Sequence, residues 1–185
     1  TAPYTSQTLD SDDVGIGVDV GETILMDCGS DVDLGTLTPG TPISAETTCT
    51  VTTNAENGYT LDVRRDDSDT TMDHTTDAAS NITDKTAWTG TGGTTDTWTG
   101  TGVGFSVYAS TTGSKNTTDW GTGTACHDAL NEYTGFPPTY QSILSHPSYS
   151  SSPTTTSVCY RVDVPSTQKS GAYDGTVTYQ VYTNP

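Results

Sequence analysis

Apolar residues recur at every second position through several short stretches of this chain. Val14, Ile16, Val18 and Val20 alternate with Gly15, Gly17 and Asp19, which is the period of a strand with one buried face. The two glycines leave the opposite face almost without side chains, so a second backbone can approach it closely. After the break at Gly21, residues 23–28 predict another short strand. Thr48–Thr53 and Tyr59–Arg64 alternate again on either side of Asn54-Ala55-Glu56-Asn57-Gly58. A connection closing on Asn-Gly predicts that these two runs pair as a β-hairpin. Cys49 and Val51 would then face inward on the first strand, and Tyr59, Leu61 and Val63 on the second.

Three further runs complete the pattern: Val103, Phe105, Val107 and Ala109; Val158, Tyr160, Val162 and Val164; and Val177, Tyr179 and Val181. Elsewhere the alternation fades. Residues 66–100 are acidic and rich in Thr and Gly, and residues 110–156 read as a second irregular insertion. Only Asp128–Tyr133 has the makings of a helical turn or two, and Pro137-Pro138 blocks anything longer. Trp88-Thr89-Gly90-Thr91-Gly92 is echoed by Trp98-Thr99-Gly100-Thr101-Gly102 and, in shorter form, by Trp120-Gly121-Thr122-Gly123. The spacing is too irregular for a solenoid. About seven strands separated by turn signals predict an all-β, Greek-key, immunoglobulin-like sandwich carrying a long Trp/Gly/Thr-rich insertion. Residues 1–20 read as an N-terminal arm, and residues 21–185 as one domain.

Composition narrows the function classes. The chain has 185 residues, of which 30% are apolar, and 23 Asp and Glu stand against 6 Lys and Arg for a formal charge of −17. Such a surface repels nucleic acid and anionic membranes. No stretch approaches the ~20 apolar residues that span a bilayer. The opening Thr1-Ala2-Pro3 lacks an initiator Met, as expected of a mature product after signal-peptide removal. Four cysteines, at 28, 49, 126 and 159, show no C-x-x-C spacing, so a disulfide framework of the secreted type is expected over a zinc site. Three connectivities are possible, and the favoured one is Cys28–Cys49 with Cys126–Cys159, in which each bridge closes a local loop. Localisation outside the cell follows from the same features.

Candidate chemistry is sparse. His74, His127 and His146 accompany many Ser and Asp residues, but no nucleophile motif such as G-x-S-x-G is present, and no catalytic residue or cofactor is expected. Asp66, Asp67 and Asp69, with Asp73 nearby, offer oxygen ligands for Ca²⁺ on one loop, without EF-hand spacing. Trp88, Trp98 and Trp120 on Gly/Thr loops are candidates for stacking against glycans, or else cover the core with large aromatic surface. Asn81-Ile82-Thr83 and Asn116-Thr117-Thr118 match the N-glycosylation sequon.

Three stretches carry a family resemblance: Asp31-Val32-Asp33-Leu34-Gly35-Thr36-Leu37-Thr38-Pro39-Gly40, the run Cys49 to Leu61, and Ser170-Gly171-Ala172-Tyr173-Asp174-Gly175-Thr176-Val177-Thr178-Tyr179. Together they resemble secreted bacterial surface domains of the spore-coat-U and WxL-like type. The resemblance implies an immunoglobulin-like sandwich used in coats, surface layers or pilus-type fibres. Fibres of such domains imply polymerisation by donor-strand exchange, in which one subunit's N-terminal strand completes the next subunit's sheet. Val14, Ile16, Val18 and Val20 are then the donor strand, the alternative being that they form the domain's own first strand. The expected function is a subunit of an extracellular filament with itself as partner. A monomeric surface-adhesion or carbohydrate-binding module is the other reading.

Overall fold

The alternating segments become antiparallel ladders. A computed structural model describes residues 15–66, 68–69, 71–90, 95–111 and 115–185. The strands follow in the order β1 (Ile24–Asp27), β2 (Ile43–Thr53), β3 (Tyr59–Arg65), β4 (Thr71–His74), β5 (Ile82–Thr83), β6 (Asp96–Thr97) and β7 (Gly102–Ser110). A four-residue helix, α1 (Thr117–Trp120), precedes β8 (Glu132–Tyr133), β9 (Gln141–His146), β10 (Thr154–Asp163), β11 (Tyr173–Asp174) and β12 (Val177–Thr183).

Two principal sheets, with strand orders β1-β2-β10-β7 and β12-β3-β9, face each other. Val51, Phe105, Val107 and Val158 of the first and Tyr59, Leu61, Val63 and Leu144 of the second share one buried cluster. Polar tips also bridge the sheets: the Tyr59 hydroxyl meets Thr154 at 2.7 Å and the Tyr160 hydroxyl meets that of Tyr179 at 2.7 Å. The fold is an all-β sandwich.

Three expectations need correction. The runs on either side of residues 54–58 do not form a hairpin, because β2 and β3 lie in different sheets. Their inward residues are the expected ones, yet they meet across the core instead of side by side. Alternation is identical for a hairpin and for a chain that arches between sheets, so the pattern cannot separate the two. The local chemistry favours the arch. Ala55 is fully buried, and Gly58, at φ 72°, packs so closely on the His146 carbonyl that a Cβ would sit 2.0 Å from it.

Residues 110–156 are not an irregular insertion throughout, since β9 is a full member of the second sheet. Its pairing with β3 shifts register between Leu61 and Asp62, which leaves Ile143 as an extra residue. Such a bulge frees backbone groups from the ladder. The Trp88 indole donates to the Ser142 carbonyl (2.7 Å) and the Trp120 indole to the Ile143 carbonyl (3.2 Å), with the two rings 4.7 Å apart. The segment Asp128–Tyr133 is not helical either. Asp128 accepts from the amides of Thr124 and Leu130 in a tight turn, and Glu132–Tyr133 pairs with β6.

Both disulfides join the expected partners, Cys28–Cys49 and Cys126–Cys159. The first lies opposite in the register that pairs Asp27 with Thr50, and so pins the end of β1. The second ties the loop before β8 to the outer face of β10, where Tyr133 and half-buried Trp98 form a small second core.

Register also defines two poles. Ile24, Thr53, Tyr59, His146, Thr154 and Thr183 lie at one end of the strands; Ile43, Arg65, Gln141, Val162 and Val177 lie at the other. The ten-residue advance along β2 separates the poles by roughly 33 Å.

Candidate assembly site

Residues 15–23, ahead of β1, form no regular element and belong to no sheet among the described residues. The segment is therefore not the domain's first strand, which is β1. Ile16, Val18 and Val20 are 96%, 87% and 79% exposed; Val14 lies outside the described residues. Its root is clamped at the first pole. The Asn54 side chain accepts from the Thr23 amide (2.6 Å) and donates to the Gly21 carbonyl (2.9 Å), while the Thr53 hydroxyl donates to the Thr23 carbonyl (2.7 Å). Three apolar side chains in water at alternating positions are unusual, because burying each is worth about 1.5–3 kcal/mol.

At the opposite pole the two sheets part around a groove of about 1130 Å³. Its apolar lining includes Ile43, Phe136, Val162, Val164, Val177 and Tyr179. Residues 29–37 and residues 168–175 also line it. Among the described residues β12 is an edge strand. Asp66 donates its amide to the Thr176 carbonyl, so the ladder bonds of β12 to β3 fall on the even-numbered residues. By antiparallel alternation the backbone groups of Val177, Tyr179 and Val181 point to the free edge, while their side chains pack toward the core.

The groove floor holds a buried ion pair. The Arg65 guanidinium, 2% exposed, grips Asp84 through two hydrogen bonds of 3.2 and 2.5 Å and stands over the Phe136 ring at 4.7 Å. Burial pushes the Asp84 carboxyl up to about 6, with Arg65 pulling it back. The folded-state value lies above the ordinary 3.8. The contribution of this group to stability is therefore complete below about 3.8 and lost as pH rises through about 6. Acidification across that window should therefore raise stability, and Asp84→Asn should flatten that part of the profile. Denaturant titrations of both proteins between about pH 4 and about pH 7 measure the difference; parallel profiles would contradict it.

The other candidates fall into place separately. Trp88 and Trp120 are only 3% and 1% exposed, so neither can present a ring to a glycan, and that reading is corrected for both. Trp98 is half-buried, edge-on to Tyr133, with the Lys85 ammonium 4.3 Å and the Arg161 guanidinium 5.4 Å from its ring centre. Asn81 donates to Asp73 (2.5 Å) and accepts from the His74 amide (2.9 Å), an amide already committed and poorly placed for a glycan. Asn116 is exposed and caps α1 through the Thr118 amide (3.0 Å).

Asp69 and Asp73 both accept from Thr71, and Asp67 lies outside the described residues. Among the described residues no three acidic, His or Cys side chains converge as a metal site. The histidines are dispersed: His74 packs edge-on to Tyr173, His146 stacks on Tyr59, and His127 is exposed. No helix of the described residues is long and apolar enough to cross a membrane.

Sequence reasoning singled out the arm but not the groove. Ile43, Phe136 and Val164 come from distant stretches, and no local period marks residues that converge only across sheets. Comparison with known proteins finds no matching family model, curated protein or solved structure.

Proposed function

We propose that this chain is a structural subunit of an extracellular filament, polymerised head to tail by donation of residues 14–20 of one copy to the groove of the next. The observation that carries the reading is the arm: a strand-period apolar segment left in water, rooted at the pole opposite an apolar groove bordered by an unpaired strand edge. A contact between opposite poles does not close on itself and generates a fibre. The two disulfides and the acidic surface suit the cell exterior.

The poles also favour one direction for the proposed donor. A copy stacked beneath the acceptor sends its arm upward into the groove, so the chain within the groove runs back down toward its own β1. β12 runs upward from Val177 to Thr183. The donated strand is thus antiparallel to β12, with Ile16, Val18 and Val20 toward the core and Gly15 and Gly17 outward. Purified chain concentrated at moderate salt should give uniform filaments by negative-stain microscopy. Dispersed particles at high concentration would sink the reading.

A further inference from the structure

We propose that residues 29–37 are a built-in stand-in for the donor strand, a strap that lies along the groove of the free subunit, covers part of its apolar lining, and is displaced when a second copy's arm enters. This rests on the strand-donation reading. The first observation is a likeness within the chain: Val32-Asp33-Leu34-Gly35 repeats the pattern Val18-Asp19-Val20-Gly21. Val32 and Leu34 are half-buried in the groove, where apolar positions of a donor would go, and Asp33 faces water as Asp19 would.

The second observation is how the strap is held. Its ends are anchored, by the Cys28–Cys49 bridge and the Thr47 hydroxyl on the Cys28 carbonyl (2.5 Å) above, and by the Gly40 amide on Asp163 (2.9 Å) and Val164 (3.2 Å) below. Between them, among the described residues, the backbone bonds are local turns, Gly29 to the Asp27 carboxylate and Gly35 to that of Asp33. Among the described residues no ladder fixes the strap to either sheet. Gly29 and Gly35 stand at φ 76° and 74°, a conformation glycine adopts freely and other residues resist. The strap also runs down the groove in the direction deduced for the donor. Side chains hold it in place, and a chain that offers the same side chains plus edge hydrogen bonds to β12 can replace it.

The test uses the full chain and a fluorescent synthetic peptide of residues 13–21, followed by anisotropy. Wild type should bind the peptide but not a version with its apolar residues moved to odd positions. Val32→Ser with Leu34→Ser should bind the peptide about 10- to 100-fold more tightly, since the strap no longer competes for the groove. Gly35→Ala, where an added Cβ meets open space and only the backbone is strained, should act in the same direction. In a separate Leu34→Cys variant, saturating peptide should speed labelling of the introduced thiol by about tenfold. Peptide bound equally or less tightly by the strap variants, or an introduced thiol no more reactive when peptide is present, overturns the strap and leaves donation standing. Failure of every form to bind overturns donation and the strap together.

Discussion

Replacing Ile16 and Val18 together by Asp is expected to abolish polymerisation while leaving the thermal midpoint of the isolated subunit unchanged. Both side chains are almost wholly in water in the single chain, so the fold loses no packing when they change. Assembly by the proposed strand donation loses a great deal. The burial of two aliphatic side chains, about 3–6 kcal/mol gross, disappears, and two carboxylates must enter an apolar groove. Even the lower figure exceeds a hundredfold in affinity. Sedimentation and microscopy of variant and wild type provide the measurement, with circular dichroism melts as the control. A variant that still forms filaments would exclude the arm as donor; one that melts well below wild type would show that the arm belongs to the domain's own core.

The second large effect lies in the middle of the chain. Trp120→Ala should destabilise the whole domain by about 3–5 kcal/mol, a large share of the 5–15 kcal/mol that holds a typical domain together. Trp120 is 1% exposed, packs on Phe105 and Trp88, and donates to the bulged carbonyl of Ile143. Truncation therefore opens a cavity between β7 and β9 and strands a buried acceptor. Urea unfolding should stay a single transition with a lower midpoint. A separate early transition would mean that the Trp-bearing segments form an accessory layer. Trp98→Ala, at a half-buried ring stacked with Lys85 and Arg161, should cost distinctly less.

The contrast among the three tryptophans shows where sequence reading stops. Each begins a similar Thr-Gly or Gly-Thr run, and nothing local separates them. Only the β9 bulge, which presents the carbonyls of Ser142 and Ile143 to the interior, makes Trp88 and Trp120 core residues. The Asn-Gly connection misled for a related reason: alternation fixes which face of a strand is apolar, whereas its neighbour depends on where the chain goes next. β9 itself went unseen because Ser142, Ile143 and Leu144 break the period of two at the bulge.

The sequence by itself determined what depends on nearest neighbours along the chain. That covers the all-β class and the inward faces of β2, β3, β7, β10 and β12. The sequence favoured the local disulfide pairing among three possible ones, and it marked the arm as a strand-period apolar run that could pair in its own subunit or a neighbour's. Side-chain alternation and short loop closure are local properties, so they are legible in a string of residues. The tertiary structure alone decided the arch between β2 and β3, the groove, the buried Arg65–Asp84 pair on its floor, and the position of the arm's root at the opposite pole. Each of these depends on which distant segments meet across two sheets, and that is set by the packing of the whole core.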